Sequence, residues 1–206
     1  TPTAGYEGIL WAISQGADII NVSWGSEMVS YSAQSVIASA VAAGITVVAA
    51  AGNSNNATVN YPAGYPGVIS VAGTNNVDKK HGSSSFGNWI DICAPGELIR
   101  STIPFNIYGF KSGTSFAAPM VCAVAALMLS KDSTMTRAEI ENCLKQSADN
   151  IDVFNPDFPG QLGAGRLNAE KALQCARAGI STCDLSLSSV QSPSTASCQN
   201  TFQPGI

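Results

Sequence analysis

A single histidine, His81, in 206 residues is the most restrictive feature of this sequence. It removes the imidazole clusters that hold zinc or run acid–base chemistry from within the chain. The six cysteines, Cys93, Cys122, Cys143, Cys175, Cys183 and Cys198, form no C-x-x-C pair, which argues further against zinc. Charge is scarce as well. Charged residues are 12% of the chain, with 14 acids against 10 bases and a net charge of −4. With no Lys/Arg run or basic stripe, no nucleic acid is expected as a partner. No apolar run reaches the roughly 18 residues of a bilayer span, so no membrane is expected either. The opening TPTAGYEGIL has neither a basic start nor an apolar leader and does not begin with Met. The expectation is a piece of a longer precursor.

What is present is apolar and small. Hydrophobic residues are 45% of the chain, and the length suits one domain with a sizeable core. Apolar spacing predicts helices over 4–16 and 31–43, closed by Gly16 and Gly44. Between and after them lie short apolar runs: ADIINVSWG, ITVVAAAGN, GVISVAGT and WIDICAPG. These read as strands buried on both faces, and their alternation with helices is the signature of an α/β domain with a mostly parallel sheet.

After residue 98 the pattern changes. LIRSTI and NIYGFKSG read as two short strands around a Pro-containing turn. FAAPMVCAVAALML reads as a long helix, apolar nearly all round and therefore buried. A capping-box spacing starts another helix at Thr136, and Asn168 caps one over 168–176. From 181 to 206 the chain is rich in Ser, Thr and Pro, a linker or the start of a truncated following domain. The helical patterns around Cys122 and Cys143 suit buried thiols, and a disulfide is expected among Cys175, Cys183 and Cys198, as in an exported protein.

The chemistry concentrates in KSGTSFAAPMVCAVAALML, residues 111–129. Ser115 follows Gly113 and Thr114 and opens the apolar helix. Free backbone N–H groups in a helix's first turn point at whatever binds there, and the helix dipole favours developing negative charge. Gly113 permits close backbone approach, and Pro119 lies early enough that its missing N–H is tolerable. A second segment, VVAAAGN, ends a strand at Asn53, and ligands of open parallel sheets bind at such carboxyl ends. A third, NVSWG, residues 21–25, is an apolar strand with a polar end.

Together, and in this order, these segments resemble the subtilisin-like serine peptidases, the subtilase family, whose serine signature is Gly-Thr-Ser-x-Ala-x-Pro. The resemblance covers residues 4 to about 178, and the expected domain runs from 1 to 180. It implies the C-terminal, nucleophile-bearing part of a three-layer subtilisin-like domain whose N-terminal strands are missing. It implies catalytic roles for Ser115 as nucleophile and Asn53 as oxyanion donor, a division of labour well known for this family. It implies substrate-binding roles for Ser23, Trp24 and Gly25 on one side, and for Ala50, Ala51 and Gly52 on the other. Asn60 would form a neutral polar pocket floor within TVNYPAGYP, where Tyr61–Pro62 matches a frequent cis peptide. Such a floor disfavours a strict Arg or Lys preference. Phe116 and Met120 depart from the family's usual Met and His. Calcium is a possible ligand by the same resemblance, with no clustered Asp loop to hold it, and a secreted or cell-surface location is implied.

A serine hydroxyl needs a base. His81 lies in NVDKKHGSSSFGN, where the family has a variable surface loop, and Asp18, Asp78 and Asp91 have no triad context. The triad's Asp and His are therefore expected on an absent upstream segment, which would also be this chain's partner in folding. Alone, the chain is expected to be essentially inactive. The leading reading is an endopeptidase acting on peptide or protein substrates. The alternative is a non-catalytic peptide-binding pseudoprotease. A lipase-like α/β-hydrolase fits poorly, because no His follows residue 115.

Overall fold

The computed structural model describes residues 2–176. Both the linker expected over 181–206 and Cys183 and Cys198 lie outside the described residues. Helix α1 (Pro2–Ser14) leads to strand β1 (Ile19–Val22), helix α2 (Tyr31–Ala42) and strand β2 (Thr46–Ala50). Strands β3 (Val68–Thr74) and β4 (Ile92–Pro95) follow, then a hairpin of β5 (Ile99–Ile103) and β6 (Ile107–Lys111). Helices α3 (Thr114–Lys131), α4 (Arg137–Gln146) and α5 (Ala169–Cys175) complete the described chain. Strands β1 to β4 form one sheet in that order, all parallel, and β5 pairs antiparallel with β6.

The alternation of side chains along β2 builds the layers. Val47 and Ala49 face α1 and α2, in a core with Ile9, Ile37 and Ala40. Val48 and Ala50 face the opposite way, toward Val121, Val124, Ala125 and Met128 of α3. Ile69 and Val71 of β3 and Ile92 and Ala94 of β4 extend that second core. The fold is thus a three-layer α/β arrangement, with helices on both faces of a parallel sheet.

Two expectations about burial are corrected. Strand β1 is not buried on both faces, since Ile19 is half-buried and Asn21 exposed. It pairs only with β2, so its other edge faces no strand among the described residues. Helix α3 is not buried all round either. Its sheet-facing stripe is buried, but Ala123, Ala126 and Leu127 are exposed, Leu127 to 47%. At 18 residues with mean hydropathy 1.5 it is long and apolar enough to cross a membrane, because the small residues flanking its apolar run scarcely lower the average. In this fold its apolar stripe is spent on the sheet.

The expectation for Cys143 is corrected as well. Cys143 is no free thiol but is joined to Cys175, with Cα atoms 5.6 Å apart, linking α4 to α5. Cys93 and Cys122 are free, and burial pushes both thiols up to about 12. The cause is three-dimensional: α4 and α5 pack on the same side of α3 and bring together residues 32 apart in sequence. Helix α4 carries its expected capping box from Thr136 to Glu139, and Asn168 caps α5 by accepting from the Lys171 N–H.

Asp149 ties down the same region. Its carboxylate accepts from Lys171 Nζ at 2.6 Å, Arg166 at 2.8 Å and Asn168 at 2.9 Å. The Lys171 hydrogen bond, with help from Asn168 and the charge of Arg166, holds its pKa below the ordinary aspartate value. A carboxylate with a lowered folded pKa stabilises fully above its unfolded pKa and loses that effect as pH falls through the folded value. In thermal unfolding, Asp149→Asn should therefore be less stable than the parent at neutral pH, and the gap should close in acid. Removing the Cys143–Cys175 link, by reductant or as the double Ala variant, should lower stability by about 2–4 kcal/mol in urea titrations.

Candidate active site at the carboxyl edge of the sheet

The carboxyl ends of β1 and β2 open onto a cleft of about 500 Å³. Its lining includes Ser115 and Asn53 together with Ser23, Trp24, Gly25, Ala50, Gly52 and Asn60. The side chains singled out in the sequence thus share one cavity, with one exception. Ala51 does not line it. Next along the chain to Ala50, it points to the other face and is fully buried with Ala72, Ile90 and Cys93.

The geometry around Ser115 begins with the start of α3. Its N-cap, Gly113, supplies no side-chain cap. The cap comes instead from Asn53, whose Oδ1 accepts the Thr114 N–H at 2.9 Å and the Thr114 hydroxyl at 3.2 Å. An N–H only donates, so the atom facing Thr114 must be the amide oxygen. Nδ2 is thereby turned away from the helix, and it makes no hydrogen bond among the described residues. The Ser115 N–H, in the first turn, likewise has no partner there. Two unspent donors are left, one from a side chain and one from the backbone of the serine.

Thr114 locks the two elements together. Its Oγ1 also accepts from the Gly52 N–H at 3.1 Å, and the Gly113 N–H donates to Gly96 O at the end of β4 at 2.7 Å. Gly113 has φ 144°, and a Cβ there would lie 3.4 Å from both polar atoms of the Asn53 amide. Ser115 itself is cross-linked to the opposite wall. Its Oγ donates to Ser23 O at 3.0 Å, and Ser23 Oγ donates to Ser115 O at 2.9 Å.

The pocket walls are fixed by backbone. Ser26 and Tyr61 exchange N–H···O bonds of 2.8 and 2.7 Å, which clamps the 23–26 segment to the 58–65 loop. Tyr61–Pro62 is cis, as the resemblance implied. The Asn60 amide lies against two glycines. A Cβ on Gly25 would come within 2.6 Å of Asn60 Nδ2, and one on Gly52, where φ is +100°, within 2.8 Å.

Residues that the sequence did not flag include Glu27, Ser54 and Ser85 in the same cleft. A neighbouring apolar groove of about 420 Å³ shares Trp24, Gly25, Ser26 and Met28 with it and adds Tyr6, Leu10, Val29, Val36 and Tyr61. Tyr6 stacks edge-on to Trp24 at 5.0 Å, and burial, with Tyr65 beside it, pushes its hydroxyl up to about 12. No spacing rule links α1 to residues 24–36; only the close packing of α1 on α2 does.

The other candidates lie elsewhere. His81 Nδ1 is 3.0 Å from Ser83 Oγ, its N–H donates to Gly73 O, and it lines neither cavity. Asp91 pairs with Lys145 and holds Ser70, and Asp78 pairs with Arg166. Calcium needs six or more oxygen ligands, carboxylates among them. No group of three or more His, Cys, Asp or Glu side chains converges among the described residues, so these offer calcium no side-chain cluster.

A family model described as the subtilase family matches residues 2–165. Subtilisin of Bacillus pumilus is 40% identical over 171 residues, covering 81% of this chain and 60% of that protein. Thermitase of Thermoactinomyces vulgaris is 40% identical over 176 residues, covering 84% and 60%. Among solved structures, the prenylagaramide maturation protease PagA aligns with TM-score 0.80 and 28% identity, over 86% of this chain and 68% of that one. Fervidolysin from Fervidobacterium pennivorans, a keratinolytic enzyme related to subtilisin, aligns with TM-score 0.71 and 31% identity, over 82% and 28%. The chain spans 60% of the first of these curated relatives and 44% of subtilisin E of Bacillus subtilis.

The Asn60–Gly25 contact is testable by itself. Gly25→Ala should displace Asn60 and narrow the cleft, costing about 1–3 kcal/mol of stability. Gly8→Ala in α1, where nothing lies within 4 Å of the new methyl, should instead stabilise by about 0.5–1 kcal/mol. Thermal unfolding of the two variants checks both.

Proposed function

The chain belongs to the subtilase family, and from that premise we propose that it forms the nucleophile-bearing part of a serine endopeptidase working through an acyl-enzyme on Ser115. The reading rests above all on the convergence of one hydroxyl and two unspent donors in a single cleft. An extended peptide would lie between the 23–25 and 50–52 segments, with its reactive carbonyl over Ser115. Ser115 Oγ would lose its proton to a base and attack the carbonyl carbon. The oxygen, now negative, would take hydrogen bonds from Asn53 Nδ2 and the Ser115 N–H. The C–N bond would then break, the amine leaving with the base's proton, and water would release the acyl group.

The base and its aspartate belong, in this proposal, to polypeptide preceding Thr1 in the full-length protein. His81, the only histidine of the 206 residues, is engaged with Ser83 and its own loop. The free edge of β1 and the exposed apolar side of α3 and α1, Trp11 at 67% among them, are surfaces that such a segment would cover. The Cys143–Cys175 link supports a secreted or cell-surface location. Residues 1–180 would then be the C-terminal part of the catalytic domain, leaving 181–206 as a linker or the beginning of another domain.

Removal of the histidine from a serine triad costs about 10⁶ in turnover, so the 206-residue chain by itself should be nearly inert. In the full-length protein a fluorophosphonate should label Ser115, and Ser115→Ala should abolish labelling. Asn53→Ala should lower kcat about 10²–10³-fold with little change in KM. An effect of Asn53→Ala confined to KM would remove its oxyanion role. Peptide binding without labelling, in a folded protein, would favour the pseudoprotease instead.

A further inference from the structure

Of the fifteen residues lining the cleft, Glu27 alone carries a charge at neutral pH. The adjoining apolar groove likewise holds one charged residue, Glu7, and neither lining contains Lys, Arg or His. Glu27 Oε1 accepts a hydrogen bond from Asn56 Nδ2 at 3.2 Å. This neutral amide orients the carboxylate without neutralising it, and Glu27 is in no ion pair among the described residues. Glu27 is exposed at the wall of the cleft, where an unpaired carboxylate attracts a cationic side chain and repels an acidic one.

We propose that Glu27 is a specificity-determining residue which selects peptides carrying Lys or Arg at the residue filling this cleft. The proposal rests on the cleft being the substrate site. It revises the expectation drawn from Asn60. The floor is neutral and its amide is packed against Gly25 and Gly52, but the wall carries the charge. The aliphatic stem of a lysine would lie along Trp24 and Ala50, with its ammonium at the Glu27 carboxylate. Acidic side chains would be rejected by the same group.

The test uses the full-length protein with paired peptides differing only in Lys against norleucine immediately before the reactive bond. The Lys peptide should have the higher kcat/KM, and its advantage should shrink with added salt. Glu27→Gln should cut the Lys-to-norleucine ratio roughly two- to fivefold, and Glu27→Lys should turn the preference toward a Glu peptide. A ratio indifferent to Glu27 would overturn the proposal. Binding of the same peptides to the Ser115→Ala variant separates this from the hydrolytic reading. Charge-selective binding that depends on Glu27, without turnover in the parent protein, would uphold the inference and sink the peptidase. Equal affinity for both peptides would overturn the inference, and no binding of either would overturn both.

Discussion

The hydrogen bond from the Thr114 N–H to Asn53 Oδ1 is the contact on which the site's geometry depends. It caps a helix whose own N-cap residue is a glycine without a side chain. It also fixes which way the Asn53 amide faces, since only the oxygen accepts. A residue with no acceptor at position 53 would leave the helix start uncapped, and one with no donor would leave the cleft with a single N–H. Asparagine is the short side chain that does both. The same bond thus carries a stabilising role and sets up a chemical one.

For that bond to form, strand end and helix start must come close, and the sequence makes room for them. Gly52 and Gly113, at φ +100° and +144°, let the two backbones approach while Thr114 bridges them. Behind this junction β2 and β3 are buried along their whole length, and α3 lies across all four strands. Movement of Asn53 relative to Ser115 would require repacking that core. The two donors are therefore held in place by the fold itself, which is what the proposed oxyanion role asks of them. The wall of the cleft depends in turn on the backbone pair between Ser26 and Tyr61 and on two glycines that accommodate the Asn60 amide.

Much of this was legible in the sequence, for reasons that can be named. Short apolar runs ending in Gly and alternating with helical spacing gave the parallel strands, and GTSFAAP and AAAGN gave the two halves of the junction. Features set by the partner of a segment rather than by the segment were not legible. The pairing of Cys143 with Cys175 follows from the docking of α4 and α5, not from spacing. The exposed edge of β1 and the exposed side of α3 look, in sequence, like any buried run. Ala51 was misplaced because a motif gives positions along the chain but not which face a side chain takes; one step of alternation puts it in the core. Glu27 was passed over because a lone carboxylate between Ser26 and Met28 has no pattern, and only the fold brings it to the cleft opposite Asn56.

The central claim, that Asn53 Nδ2 and the Ser115 N–H serve one developing charge, is tested most directly by a crystal structure of the full-length protein bearing a phosphonyl group on Ser115 Oγ. One phosphonyl oxygen should lie within hydrogen-bond distance of both nitrogens, with Asn53 Oδ1 still on the Thr114 N–H. An adduct whose oxygens face solvent or other donors, or an Asn53 amide turned over, would contradict it.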